Sequence, residues 1–381
     1  MQPNPAVAQR LANLQTYLKA DPENAQLRAD IFDAALEAGD FELAQQQLEA
    51  VLDKGRAQAS WLHRQAVLFL ARKDYPAAQS LLEDLVVAGT DDVAVQTNLA
   101  YALFVQGEIE AARNRLEPIV ISAGESMQPA LALWLRCQHH LAQLDDGLRR
   151  FDDYVAAHPA SAEVFGVASL MALDAGRQED AQAWSALALG QNAHQLEALA
   201  VQGTLALGRQ DTAGAQTVFE LALAIHPTDG RSWSGLAFTY LLEQRLDLAH
   251  QAFQNAVRYL PKHIGTWIGL GWCEFMRRNL PAAHEAFASA LALDRNFGES
   301  HGSLAVVLVA EGERTEAARE IGLALGLDKT CLSARYAQAM LSGEVNDPAA
   351  FRRLAQRVLA QHRGPREGQS LADAAFQPDR H

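Results

Sequence analysis

Small residues recur along this chain at a fixed interval. Alanine stands at 44, 78, 112, 181, 215, 249, 283 and 317, and Gly147 fills the long gap. The spacing is 34 residues, apart from one step of 35 ahead of Gly147. Most of these small residues are followed four positions later by a bulky apolar one, among them Leu48, Leu82, Leu116, Phe151, Phe219, Phe253 and Phe287. That spacing keeps side chains on one stripe of a helix. Upstream lies a second stripe, clearest in Trp233, Leu236, Ala237 and Tyr240 and again in Trp267, Leu270 and Gly271. The pattern predicts two amphipathic helices in every 34 residues, repeated along nearly the whole chain.

Turn residues keep the same phase. Gly39, Gly107, Gly176 and Gly312 fall where the first helix of a pair must stop, a place that favours a left-handed residue. Pro22, Pro159, Pro227 and Pro261 fall where the second helix ends and the next must restart. The windows so defined are 25–58, 59–92, 93–126, 128–161, 162–195, 196–229, 230–263, 264–297 and 298–331. Residues 1–24 read as an N-terminal capping helix. Residues 332–363, with the Arg-rich "FRRLAQRVLAQHR", read as a worn C-terminal repeat or cap, and 364–381 as a disordered tail.

Window 230–263 carries Trp233, Leu236, Ala237, Tyr240, Ala249, Phe253, Ala256 and Pro261. With its neighbours in phase it resembles the tetratricopeptide repeat (TPR) family, whose pattern is W-x2-L-G-x2-Y, then A-x3-F-x2-A, then P. Two windows depart from that pattern: 59–92 has no bulky residue in the Trp place, and 128–161 has Gly147 in place of Ala. The resemblance implies an all-α fold, an α-solenoid in the form of a right-handed superhelix of about ten helix-turn-helix repeats. Its concave channel would be lined mainly by first helices.

Composition narrows the partners. Asp and Glu number 46 against 32 Lys and Arg, a formal charge of −14. Nucleic acid and anionic membranes call for a basic footprint, so neither is expected as a partner. The first half is the more acidic, net −9 over residues 1–161 against −5 over 162–381. Cys137, Cys273 and Cys331 are far apart and form no CxxC, which fits a reducing compartment. The start "MQPNPAVAQRLANLQ" lacks a leader pattern and no long apolar run follows, so a cytoplasmic protein without membrane insertion is expected. No phosphate-loop, dinucleotide, zinc-protease or nucleophile-elbow motif occurs, so no catalytic residue, metal site or cofactor is expected. His250 and His284, at position 21 of their windows, are expected to face solvent.

The register also names the channel residues, at positions 2, 5, 6, 9, 12 and 13 of each first helix. Early windows offer Asp30, Asp33 and Glu37, which could hold a basic segment. His63, Arg64, Thr97, Asn98, Tyr101 and Arg136 follow, a mixed set. The carboxylate clamp of the chaperone-binding TPR subclass is not supplied by any three successive windows. Nor is the asparagine ladder of O-GlcNAc transferases, since Asn98 alone qualifies.

Late windows offer Ser234, Phe238 and Leu242, then Ile268, Gly269, Trp272 and Met276, then Gly302, Ser303 and Val306. Gly and Ser would lower the channel floor and the bulky residues would form its walls, a suitable seat for an apolar peptide or helix in the channel of 230–310. The alternative is that these residues pack between adjacent first helices or under the chain's own C-terminal cap. Glu274 stands on the core stripe, in the place of Tyr240, with Arg277 and Arg278 in reach. The functional expectation is a non-enzymatic protein-protein interaction module acting as scaffold, adaptor or chaperone. Its late channel resembles in surface character the shorter TPR chaperones of bacterial type III secretion translocators. The alternative is an accessory or regulatory subunit of an enzyme, such as a glycosyltransferase system, with no catalytic site of its own.

Overall fold

The computed structural model describes residues 5–52, 58–122 and 127–344. Among the described residues there are twenty α-helices and no strand, as many helices as ten two-helix repeats contain. The expectations for residues 345–363 and for the tail 364–381 lie outside the described residues. The chain divides into two compact units, Met1–Arg177 and Gln178–His381. The first holds α1 (Pro5–Ala20), α2 (Ala25–Ala38), α3 (Phe41–Leu52), α4 (Ala59–Ala71), α5 (Tyr75–Val87), α6 (Val93–Val105), α7 (Ile109–Ile121), α8 (Gln128–His140), α9 (Leu144–Ala157) and α10 (Ala162–Asp174). The second holds α11 (Gln178–Gln191), α12 (Leu196–Gly208), α13 (Thr212–Ile225), α14 (Gly230–Leu242), α15 (Leu246–Tyr259), α16 (Ile264–Met276), α17 (Leu280–Leu293), α18 (Gly298–Glu311), α19 (Arg314–Leu327) and α20 (Leu332–Ser342). Within each unit, helices adjacent in sequence pack together as hairpins. No described helix is long and apolar enough to cross a membrane.

The hairpin turns share one backbone solution. Gly39, Lys73, Gly107, Ala142, Gly176, Gln210, Gln244, Arg278 and Gly312 all have φ between +56° and +89°. Each directly follows an even-numbered helix from α2 to α18 or stands one residue beyond it. In the first turn the amides of Gly39 and Asp40 donate to the carbonyls of Leu36 and Ala35, closing the helix end. Five of the nine positions therefore hold an L-residue in a conformation that costs it about 1–2 kcal/mol. The glycines were readable as stops, and the other five turns adopt the same shape without one.

The alanines at 44, 78, 112, 181, 215, 249, 283 and 317 are fully buried. Phe151, Phe219, Phe253 and Phe287, four residues after their small partners, are fully buried as well. Their rings lie where first helices come close. A Cβ added at Gly235 would stand 2.1 Å from the Phe219 ring, and one at Gly203 would stand 2.6 Å from it. Gly269 has the same relation to Phe253, and Gly271 to Phe287. Gly147 departs from the alanine pattern because Met171 of α10 fills the space: its Cε is 2.3 Å from where a Cβ would be.

A second device ties five of the first helices to the turn before them. The side chains of Arg28, Trp233, Trp267, His301 and Arg335 each donate to the carbonyl six residues earlier, at Pro22, Pro227, Pro261, Arg295 and Lys329 respectively. The distances are 2.7–3.0 Å. The donor type changes while the bond remains, so a carbonyl beyond the end of the preceding helix is satisfied each time.

Two outcomes follow. Gln244→Gly relieves a left-handed L-residue and is expected to raise stability by about 0.5–1 kcal/mol, net of the added unfolded-state entropy. A lower denaturant midpoint would contradict that account of the turn. Burial raises the thiol pKa of Cys137 and Cys331 to about 12 and that of Cys273 to about 11. A colorimetric thiol titration at neutral pH should find no fast-reacting thiol in the folded chain and all three after denaturation. One fast thiol in the folded chain would show that a cysteine is not packed as described.

Candidate partner-binding face

In the first unit the residues in channel register bond to one another. Asp33 accepts from Nε and an Nη of Arg64 at 3.2 and 3.1 Å. Asn98 lies 2.9 Å from Nε2 of His63, and Arg136 donates to Glu163 at 2.7 Å. Arg64 also lies over the Trp61 ring, and Tyr101 meets Tyr75 edge to face. Burial lowers the His63 pKa, with Arg64 acting the same way against the opposing pull of Asp92. The carboxylates expected to face a basic segment, Asp30, Asp33 and Glu37, already have neighbours within the chain. Asp33 is matched by Arg64, Glu37 is 3.7 Å from Arg10, and Asp30 accepts from Gln26. These groups are largely exposed, and the acid excess of this half of the chain remains.

In the second unit the expected residues separate into two groups. Ser234 is buried, with its hydroxyl 3.0 Å from that of Thr266. Gly269 is buried against the rings of Phe253 and Phe238. A Cβ at Gly302 would stand 2.7 Å from the Ala334 nitrogen and the Cys331 sulfur. Ser303 bonds to Ser333 at 3.3 Å, and Val306 is buried with Ala305, Ile321 and Ala337. These five residues are helix-to-helix contacts. Gly and Ser do not lower an open floor: they let α14 approach α16 and α18 approach α20, and they leave room for a ring.

The second group is Phe238, Leu242, Ile268, Trp272 and Met276. Phe238, Ile268 and Trp272 are half-buried, while Leu242 is 60% exposed and Met276 45%. Trp272 lies 5.7 Å from Phe275, 5.8 Å from Phe287 and 6.1 Å from Tyr336, ring centre to ring centre. It belongs to the core on one side and borders the exposed residues on the other. Sequence reasoning left out Phe275, Tyr336 and Met340, which pack with Trp272 against the buried cluster of Ala305, Val306, Ile321 and Ala337. Tyr336 and Met340 stand 34 residues after Gly302 and Val306, so the repeat register already carried the signal.

Glu274 is fully buried and fully engaged. It lies 2.5 Å from Nδ1 of His250 and accepts from Arg277 at 2.9 and 3.1 Å and from Asn279 at 2.9 Å. The Glu274 hydrogen bond raises the Arg277 pKa. The carboxylate thus joins α15, α16 and the turn before α17, using Arg277 and not Arg278. His250 and His284 were expected to face solvent. His250 instead meets the buried Glu274, while His284 stays at the surface, its side chain 40% exposed, and lies 2.9 Å from Glu311 of the following helix.

A family model described as tetratricopeptide repeat matches residues 29–93, 63–119 and 239–296. No curated protein matches the sequence. Among solved structures, the chain is similar to the APC/C hetero-tetramer Cut9-Hcn1, at 14% identity and a TM-score of 0.49, over 93% of this chain and 83% of that one. A tetratricopeptide repeat protein from Parabacteroides merdae matches at 15% identity and TM-score 0.45, over 66% of this chain and 98% of its own. TTC0263, a TPR protein of Thermus thermophilus, matches at 20% identity and TM-score 0.41, over 48% of this chain and 99% of its own. The segments that the family model matches lie in both units, where paired helices keep a buried small residue and a left-handed turn in a 34-residue register.

Proposed function

We propose that this chain is a non-enzymatic interaction scaffold that seats an apolar peptide or helix of a partner protein on the first helices of its second unit. The reading includes the division into an N-terminal capping helix, nine repeats and a worn final repeat. The observation that carries it is the surface of α14 and α16, where Leu242 and Met276 are exposed beside the half-buried Phe238, Ile268 and Trp272. Leu242 and Met276 are the last residues of α14 and α16, and each follows a half-buried aromatic ring by four residues on its own helix. Contiguous apolar patches of this sort mark contact sites, and Met adapts to varied partners. The first unit offers less, because its channel-register polar groups are matched to one another. Three buried cysteines without a disulfide fit a cytoplasmic setting.

The test uses Leu242→Asp and Met276→Asp. Both side chains are largely outside the core, so the folded chain should keep its helicity and melting point. Proteins retained from a native lysate by the unaltered chain should be lost, with affinity for the isolated partner down about tenfold or more. An unchanged set of retained proteins would refute the assignment of this face. Trp272→Ala is a poorer probe: truncating a side chain lodged in the core is expected to lower stability by about 2–4 kcal/mol as well as binding.

A further inference from the structure

The last described helix breaks the hairpin pattern on one face. Leu304 and Leu308 of α18 are buried and pack with Ala317 of α19. One period later the same two places hold Gln338 and Ser342 of α20, both exposed. The helix also stops early: its left-handed Gly343 stands three residues before 346, the place that Gly312 marks one period earlier. The face of α20 on which a second helix would pack is therefore polar. Yet the sequence carries one more apolar stripe beyond it. In "PAAFRRLAQRVLAQHR", residues 348–363, Phe351, Leu354, Ala355, Val358 and Leu359 keep the i, i+3, i+4, i+7 and i+8 spacing of one helix face. Asp347 and Pro348 are residue types that open helices, and the four arginines fall outside the stripe.

The chain leaves α20 beside the partner-binding face. Tyr336 is 6.1 Å from Trp272, and Met340, one turn before Gly343, packs with Trp272 against the same buried cluster. The helices α14, α16, α18 and α20 are successive neighbours. At 8–10 Å per neighbour, α16 and α14 stand about 20 and 30 Å from α20. Residues 344–347 reach about 14 Å when extended and a helix over 348–363 covers about 24 Å, so the stripe can lie across Met276 and Leu242. The charges agree at long range: residues 1–344 hold 42 acids and 26 bases, net −16, and residues 345–381 hold four acids and six bases, net +2. Close to the face, Glu243, Glu311 and Glu313 are balanced by Arg245, Arg277 and Arg278, so apolar area and tethering decide the contact.

We infer that the resting occupant of the α14–α16 face is this chain's own segment 348–363, docked through the stripe from Phe351 to Leu359, and that a partner gains the face by displacing it. The inference rests on the reading of that face as a seat for an apolar helix. Helix-in-groove contacts use anchors at i, i+3, i+4 and i+7, the spacing this segment supplies. A second copy carries the same stripe, but a short tether holds the chain's own segment at an effective concentration in the millimolar range, far above that of a second copy at about micromolar protein. The segment thus sets a threshold: a partner helix must bind tightly enough to outcompete it.

The test reads the accessibility of the face in the full chain. One reporter thiol is introduced by Met276→Cys and, separately, by Leu242→Cys, against a background of three buried native cysteines. Adding Leu354→Asp and Val358→Asp should speed labelling at both reporters about tenfold, independently of protein concentration. A Tyr17→Cys reporter, exposed in the first unit, should not respond. A photo-cross-linker in place of Phe351 should link to α14 or α16 of the same chain. Unchanged labelling at both reporters, cross-links to Gln338 or Ser342 of α20, or cross-links between copies would each overturn the proposal. Proteins retained from a lysate read the partner seat separately. Retention that Leu242→Asp abolishes, with labelling indifferent to the segment, keeps the seat and refutes the segment. Labelling that responds to the segment, with no retained protein lost on Leu242→Asp, keeps the segment and refutes the partner reading.

Discussion

The close approach of helices around small residues is the constraint on which the rest of this structure depends. A helical hairpin of this length cannot bury its apolar stripe alone, and burial requires a neighbour at short range. The buried alanine of each second helix permits that range. Where a phenylalanine follows four residues later it fills the remaining space, and glycines on the facing first helices leave room for it, as Gly203 and Gly235 do for Phe219. Packing at this density tolerates little change in volume, so the size of each side chain is coupled to that of its neighbours. Gly147 and Met171 show the coupling in variant form: the small residue became smaller and the neighbour became longer.

The same constraint decides which residues are available for recognition. Gly235, Gly269, Gly302 and Ser303 are consumed by helix contacts, and Val306 by the contact with α20. What remains in solvent on α14 and α16 is the outer edge of each helix, where Leu242 and Met276 project. Trp272 links the two layers, since a side chain wedged between Phe287 and Tyr336 offers its remaining surface in a fixed orientation. A rigid aromatic at the base of a flexible Met and Leu rim combines low ordering cost with adaptability. The first unit uses its register differently, joining successive first helices through Asp33–Arg64, His63–Asn98 and Arg136–Glu163.

Much of the fold was legible because a 34-residue period constrains every position many times over. The stripes, the buried alanines and the glycine stops could be read from spacing alone. The candidate face was legible only in part. Periodicity states which residues point away from the hairpin's own core, but it does not state how close the next hairpin lies. Gly302 and Met276 are both assigned to the channel by register, yet one touches α20 and the other touches solvent. Glu274 could not be resolved from its own helix either, because His250 lies on α15 and is 24 residues away. The left-handed Lys73, Ala142, Gln210, Gln244 and Arg278 were hidden for a related reason, in that packing of the two helices imposes the turn whatever residue occupies it.

A double-mutant cycle between Gly235 and Phe219 tests the central claim most directly. Gly235→Ala should destabilise by about 1–3 kcal/mol despite the better helix propensity of alanine, because its methyl group meets a buried ring. Phe219→Leu alone should also destabilise, by leaving a cavity. If ring and glycine share one space, the double mutant should be more stable than the sum of the two losses predicts, by about 1 kcal/mol or more. Strict additivity, or a Gly235→Ala chain more stable than the original, would contradict the claim that these helices are spaced by a ring lodged against glycine.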